Sequence, residues 1–151
     1  MKRTKCNNLI QVQGAYIAGI VDGEGCLRID KGKTGKNGVR RTKYSVTIGV
    51  ANTCFRLVKY LKAITGVGSI LPIPRRGNRK PQIRWMVYSQ QAEDFLKQIR
   101  PWLLVKNRQA DLLLACRDLN RQAIRDKSGK ANKYKEKIFL QVKGLNKRGI
   151  I

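Results

Sequence analysis

Two carboxylates, Asp22 and Glu24, flank Gly23 and are followed by Gly25. The chain has only nine acids against 33 Lys and Arg, so two acids this close together need an account. The segment before them, Ala15-Tyr-Ile-Ala-Gly-Ile-Val21, carries no charge, and Ile17, Ile20 and Val21 recur at helical spacing. The acids therefore fall at the C-terminal end of a short helix, where the macrodipole is already negative and Lys or Arg is the favoured neighbour. Carboxylates there are unfavourable unless a cation is at hand. A hard divalent ion, held by carboxylate and backbone carbonyl oxygens, would supply one. So would nearby Lys or Arg side chains neutralising surface acids behind an ordinary helix end. Both arrangements fit the residues alone.

The helix that must position these acids carries a second signal. Ala15 and Gly19, or Gly14 and Ala18, place small residues four apart, which lets another helix approach closely. Gly23 and Gly25 are expected to end the helix by taking the left-handed conformation open to glycine.

At 151 residues the chain is one domain, long enough for a core. A formal charge of +24, no histidine and a pI near 10.6 point to a polyanionic partner, with nucleic acid ahead of an anionic membrane surface. Charge alone does not separate DNA from RNA, or an enzyme from a binding module. Cys6, Cys26, Cys54 and Cys116 are widely spaced, with no C-x-x-C pair, which argues against a zinc site and for a reducing compartment. The start Met1-Lys-Arg-Thr-Lys lacks an apolar leader, and no apolar run approaches membrane-spanning length. The expectation is a soluble intracellular protein, of the prokaryotic cytoplasm or of an organelle that holds a genome.

Residues 1–8 read as a loose basic arm, 9–126 as the folded domain, and 127–151 as a basic C-terminal helix and tail. After a first helix over about 9–23, Leu27 and Ile29 alternate with Cys26, Arg28 and Asp30, which predicts a half-buried strand. A basic tip carrying Lys31, Lys33, Arg40 and Arg41 leads to a returning strand. There Tyr44, Val46, Ile48 and Val50 alternate with Lys43, Ser45 and Thr47. Asn52-Thr53 is a helix N-cap signal, and Phe55, Leu57, Val58, Leu61 and Ile64 carry a helical stripe. Residues 69–73 and 82–89 predict a second hairpin around the turn-rich tip 74–81, which holds Arg75, Arg76, Asn78 and Arg79. In its second strand Ile83, Trp85 and Val87 are expected inward and Gln82, Arg84, Met86 and Tyr88 outward; the opposite register would turn Trp85 out. Helices follow near 91–99, 107–125 and 133–145, the 107–125 helix with Ala110, Leu113, Leu114 and Leu119 inward.

The order α-β-β-α-β-β-α-α predicts an α+β domain with helices on one face of a four-stranded antiparallel sheet. The other face would be a saddle exposing Arg28, Asp30, Lys43, Ser45, Thr47, Ile73, Arg75, Gln82 and Arg84. Such a ribbon can enter a major groove and read base edges, while the basic tips and last helix, Lys33 and Lys135 among them, grip phosphates.

The stretch Ile17-Ala-Gly-Ile-Val-Asp-Gly-Glu-Gly25 resembles the LAGLIDADG motif of homing endonucleases, with conservative aliphatic changes and Glu for the second Asp. The αββαββα order matches that family's fold over roughly residues 9–125. The resemblance implies two motif helices packed side by side, with Ala15, Ala18, Gly19 and Asp22 at the contact and Asp22 structural at the helix end. It implies Glu24 as the metal-binding acid, with the Gly23 carbonyl on the same ion. It also implies that Asn52, in Val50-Ala-Asn-Thr53, positions water near the scissile phosphate. Lys106, in Pro101-Trp-Leu-Leu-Val-Lys106, would stabilise charge there, and Arg56 is a further basic candidate. With no histidine as general base, a divalent metal is the natural means of activating water.

One motif per chain and no internal repeat imply a homodimer making a double-strand break in a long, nearly palindromic DNA site. The implied cofactor is Mg²⁺ or Mn²⁺, with Ca²⁺ binding without supporting cleavage and no small-molecule organic cofactor. The implied partners are duplex DNA and a second copy, with no membrane, and the gene is expected in an intron or similar mobile element. Relatives that have lost cleavage act as RNA maturases, so a non-catalytic nucleic-acid-binding module is the alternative.

Overall fold

A computed structural model describes residues 4–38, 40–125 and 128–147. The outermost parts of the expected arm and tail, 1–3 and 148–151, residue 39 of the first basic tip, and residues 126–127 at the expected domain boundary lie outside the described residues. Helix α1 (Gln11–Glu24) leads into the hairpin β1 (Gly25–Thr34) and β2 (Arg41–Asn52). Helix α2 (Phe55–Thr65) precedes a second hairpin, β3 (Ser69–Ile73) and β4 (Gln82–Tyr88). Then come α3 (Ser89–Ile99), a 3-10 turn (Arg100–Trp102), α4 (Asn107–Arg125) and α5 (Lys130–Leu145). The strands form one antiparallel sheet in the order β1-β2-β4-β3. This is the α+β arrangement that the alternation predicts.

The period-two pattern sorts the strands into an inner and an outer face. Leu27, Ile29, Tyr44, Val46, Ile48, Val50, Trp85 and Val87 are buried, in one core with Phe95, Leu96 and Ile99 of α3 and Ala110, Leu113 and Cys116 of α4. Trp85 fixes the register of β4. Its Nε1 donates to the Val67 carbonyl at 3.0 Å and its ring meets Phe95 edge-on at 5.1 Å. Gly68, at φ +83°, leaves room for that indole: a Cβ there would come within 2.5 Å of Nε1.

Four expectations are corrected. Gly23 lies inside α1, and Gly25 is extended (φ −78°, ψ 149°) instead of left-handed. Glycine is required at 25 because a Cβ would come within 2.5 Å of the Val21 carbonyl oxygen as the chain turns from helix into strand. Residues 4–9 are tied down: the Asn7 N–H donates to the Thr65 carbonyl at 2.8 Å, and the Leu9 N–H to Gln98 Oε1 at 2.7 Å. On α4 the third inward rung is Cys116, with Leu114 and Leu119 only half-buried. Finally, α2 starts at Phe55 with Cys54 as its N-cap, so Asn52-Thr53 does not cap it. Asn52 Oδ1 instead accepts the Cys54 N–H at 2.8 Å and shapes the turn before the helix.

The largest departure from a purely apolar core is Glu93 on α3, 1% exposed. Its carboxylate meets Arg117 Nε at 3.0 Å and Arg121 Nη1 at 2.7 Å from α4, and Lys97 Nζ at 2.7 Å from its own helix. Burial works to raise its pKa, but the three cations outweigh it and hold the carboxyl down at about 2. Among the described residues, no helix is long and apolar enough to cross a membrane.

Candidate nucleic-acid interface and the acid at its rim

The two motif acids have separate tasks. Asp22 turns toward its own chain: Oδ2 accepts the N–H groups of Leu104 at 2.8 Å and Val105 at 3.2 Å, and Oδ1 accepts that of Lys106 at 2.9 Å. The Lys106 ammonium donates to the Asp22 carbonyl, placing a cation at the negative end of α1. Burial tends to raise the Asp22 pKa, but the backbone donors and the Lys106 charge prevail and keep it below the usual carboxylate value. Asp22 thus anchors the connector that carries Lys106, and its carboxylate faces this connector and not an interhelical contact.

Glu24 is left alone. Asp126 lies outside the described residues; of the other eight acids, only Glu24 has neither a hydrogen bond nor an ion pair. It is exposed and lines a depression of about 110 Å³ together with Arg28, Gly49, Ala51, Arg84 and Met86. Lys106 is therefore brought to the end of the helix that carries Glu24. Arg56 is not: it lines a groove of about 600 Å³ beside Tyr16 and Tyr60 of the α1–α2 surface. No group of three or more His, Cys, Asp or Glu residues gathers among the described residues. At this end of α1, among the described residues, the carboxylate left free is that of Glu24.

The outer face of the sheet begins at this depression. Register pairs Arg28 with Thr47, Asp30 with Ser45, and Arg84 with both Ala51 and Leu71, so these side chains share the saddle. At the β3–β4 end, Arg75, Arg76, Arg79, Gln82, Arg84 and the half-buried Ile73 line a groove of about 410 Å³. Lys80 joins them; the sequence reading missed it, although it belongs to the same basic tip. Arg40, Arg41, Lys43 and Asn78 are exposed along the tips and strand, as is Lys33. Leu71 and Tyr88, both exposed, add apolar surface to a face expected to be polar.

Three assignments change with burial. Thr47 is 1% exposed and donates its Oγ1 hydrogen to Asp30 Oδ2 at 2.6 Å, so its hydroxyl is committed within the saddle. Lys31 falls on the helical side of β1, where its Nζ lies 2.8 Å from Glu136 Oε2 of α5. Lys135, expected to grip phosphate, is 5% exposed; its Nζ reaches Asn120 Oδ1 at 3.3 Å and sits 5.5 Å from the centre of the Tyr44 ring.

The small residues of α1 divide between two faces. Gly14 and Ala18 are buried, and a Cβ on Gly14 would come within 3.2 Å of Trp102 Nε1. Ala18, assigned above to the interhelical contact, instead packs into its own core. Ala15, Gly19 and Gly23 are exposed beside Val12 and Tyr16, and added Cβ atoms on Gly19 and Gly23 would meet nothing within 4 Å. The open face of α1 is thus a stripe of small residues edged by apolar ones.

No protein-family model and no curated protein matches the chain. Solved structures do. The homing endonuclease I-CvuI, in complex with the I-CreI target in 2 mM Mg, aligns at TM-score 0.74 and 19% identity over 93% of this chain and 87% of that one. Another I-CvuI structure, with its own target in 2 mM Ca, aligns at TM-score 0.73. The archaeal intron-encoded I-Vdi141I, complexed with DNA, aligns at TM-score 0.70 and 15% identity over 92% and 87% of the two chains. The LAGLIDADG homing endonuclease I-SmaMI, bound to cleaved DNA, aligns at 0.64 and 14% identity; this chain spans 49% of its length. At these identities the likeness is one of fold, and it agrees with the motif: the chain has the fold of the LAGLIDADG homing endonucleases, in a length that suits the single-motif type.

Proposed function

We propose, from the LAGLIDADG homing-endonuclease fold of this chain, that it binds duplex DNA across the saddle and hydrolyses one phosphodiester per strand as a homodimer. The observation that carries this reading is Glu24, an exposed carboxylate in a chain of charge +24 that, among the described residues, has neither a hydrogen bond nor an ion pair. A carboxylate left free in so basic a chain is reasonable where it serves a cation that arrives with the substrate. The similar structures bound to DNA, in Mg and in Ca, support the substrate and the class of ion.

Two copies meeting through Ala15, Gly19 and Gly23 would bring their Glu24 carboxylates and Gly23 carbonyls together. Phosphate oxygens of the DNA would complete the hard-oxygen donor set. A divalent ion held there supplies activation of water and stabilisation of the leaving 3′ oxygen. The chain's own residues do the rest. Lys106, held at the end of α1 by Asp22, offers positive charge for the phosphate as negative charge builds on it. Asn52, with its carbonyl oxygen spent on the Cys54 N–H, retains its amide hydrogens to orient a water. The saddle and its basic tips bind and align the duplex. Two-fold pairing matches a nearly palindromic site, and the resemblance implies a gene carried in an intron or similar mobile element.

Glu24→Gln tests this. Nicking of supercoiled or target DNA in Mg²⁺ should be lost, while DNA affinity stays within about tenfold, roughly 1.4 kcal/mol. Undiminished nicking by that variant removes Glu24 from the chemistry. A wild type that binds RNA and never nicks DNA in Mg²⁺ or Mn²⁺ supports the maturase-like alternative.

A further inference from the structure

Asp30 is an acid on a face that otherwise gathers cations, and its contacts give it a task. It projects from β1 beside Arg28 and opposite Ser45. Its Oδ2 is held by the buried Thr47 hydroxyl at 2.6 Å, and its Oδ1 lies 3.0 Å from Arg28 Nε. Thr47 itself sits directly across the ladder from Arg28. Thr47, Asp30 and Arg28 therefore form a short chain in which the sheet fixes the threonine, the threonine the acid, and the acid the guanidinium.

What remains free on Arg28 is informative. Nε is enclosed, and the contact with Asp30 lies off its N–H direction, so Nε has no hydrogen-bond partner. The side chain is still 40% exposed, and among the described residues its terminal Nη groups donate to nothing. With Nε enclosed beside the Asp30 carboxylate, the Nη edge of Arg28 is the part left to face outward. A fork of two donors matches two acceptors side by side, and in the major groove guanine offers that pair in O6 and N7. Adenine offers one acceptor and one donor, which would set an amino group against an Arg N–H. An exposed ion pair contributes little to stability, so orientation is the larger effect of this one.

Resting on the DNA-binding role of the saddle, we propose that Asp30 is a positioning residue for Arg28, and that the pair selects guanine at one position of each half-site. The competing account makes Asp30 a surface acid that merely lowers the local positive potential. The two differ in what its removal does. Loss of a charge alone strengthens binding to every duplex and leaves base preference untouched. Loss of a positioning group removes one base preference.

The test uses the whole chain and a library of random duplexes about three turns long, with bound molecules sequenced at fixed salt. The wild type should enrich guanine at one position per half-site by roughly 10- to 100-fold. Arg28→Ala and Asp30→Ala should both erase that preference, at that position only. Thr47→Val, nearly isosteric at a buried site, should reduce the preference, and Asp30→Asn should keep part of it because its amide oxygen can still face Nε. An Asp30→Ala profile that keeps the guanine while Arg28→Ala loses it overturns the positioning role and leaves the saddle reading intact. A uniform loss at every position in Asp30→Ala also overturns it, as damage to the fold. A wild type that enriches no sequence overturns the base-reading saddle and this proposal with it.

Discussion

Replacing Asp22 with alanine should loosen the connector that carries Lys106 without unfolding the chain. Three backbone N–H groups lose their acceptor: those of Leu104, Val105 and Lys106. A hydrogen bond to a charged group contributes about 1.5–3 kcal/mol. Three at that value would take much of the roughly 5–15 kcal/mol by which a domain is stable. Simple addition overstates the loss, because Leu104 is 80% and Val105 67% exposed, and water can replace the carboxylate there. Lys106 is half-buried and bears most of the effect. The expected destabilisation is about 2 kcal/mol, read as a lower urea midpoint at unchanged slope. Asparagine should rescue little, since one of its two terminal groups is itself a donor facing donors. The pH dependence has a definite sign. The folded carboxyl titrates below its ordinary value near 3.8, so its contribution is complete above that pH and is lost as pH falls through the lower, folded value. The gap between wild type and alanine variant should therefore close in acid. Hydrogen exchange at 104–106 should accelerate in the variant while α4 stays protected. Equal midpoints at neutral pH, with equal exchange in the connector, would refute the anchoring role.

Gly19→Leu should leave the fold intact, because the added side chain points into open space, and should separate the two copies; sedimentation with and without DNA reads this. Gly14→Leu should do the reverse, driving against Trp102 and lowering stability by about 1–3 kcal/mol in thermal denaturation. Glu93→Gln should destabilise by about 3 kcal/mol, since it strands cations of α4 against the core. With a folded pKa of about 2, the native carboxylate contributes fully above its ordinary 4.5 and loses that contribution as pH falls toward 2, so acid denaturation should reveal the variant's loss shrinking. Lys33→Ala should lower the salt dependence of DNA binding by about one charge, whereas Lys135→Ala should lower stability and leave that slope unchanged.

The sheet was legible because strand alternation is a local pattern: Leu27, Ile29, Val46, Ile48 and Trp85 announce their face from neighbours two residues away. The uncharged stretch and paired acids of α1 were legible for the same reason. What escaped depends on residues that meet only after folding. Glu93 finds one cation four residues away, a visible helix pair, but its other two lie 24 and 28 residues on. Lys31 and Lys135 belong to basic runs that look like phosphate-binding tips until α5 packs onto the first hairpin. Ala15 and Ala18 are the same residue type on one helix. Which side of α1 is already occupied is decided by the rest of the folded chain, the core around Ala18 and Trp102 against Gly14.

Strand β1 is ten residues long and stands at the edge of the sheet. Its outer rim would offer a foreign strand a row of unpaired N–H and C=O groups, the usual template for sheet-to-sheet aggregation. Helix α5 packs against this strand: Asn146 Nδ2, just past its end, donates to the Leu27 carbonyl at 2.7 Å, and Glu136 reaches Lys31 farther along. Trimming the chain after α4 to obtain a smaller DNA-targeting scaffold would therefore uncover a sticky edge. The product should precipitate as it is concentrated, even with most of its positive charge retained, unless proline or an inward-pointing lysine is introduced along β1 to blunt the rim.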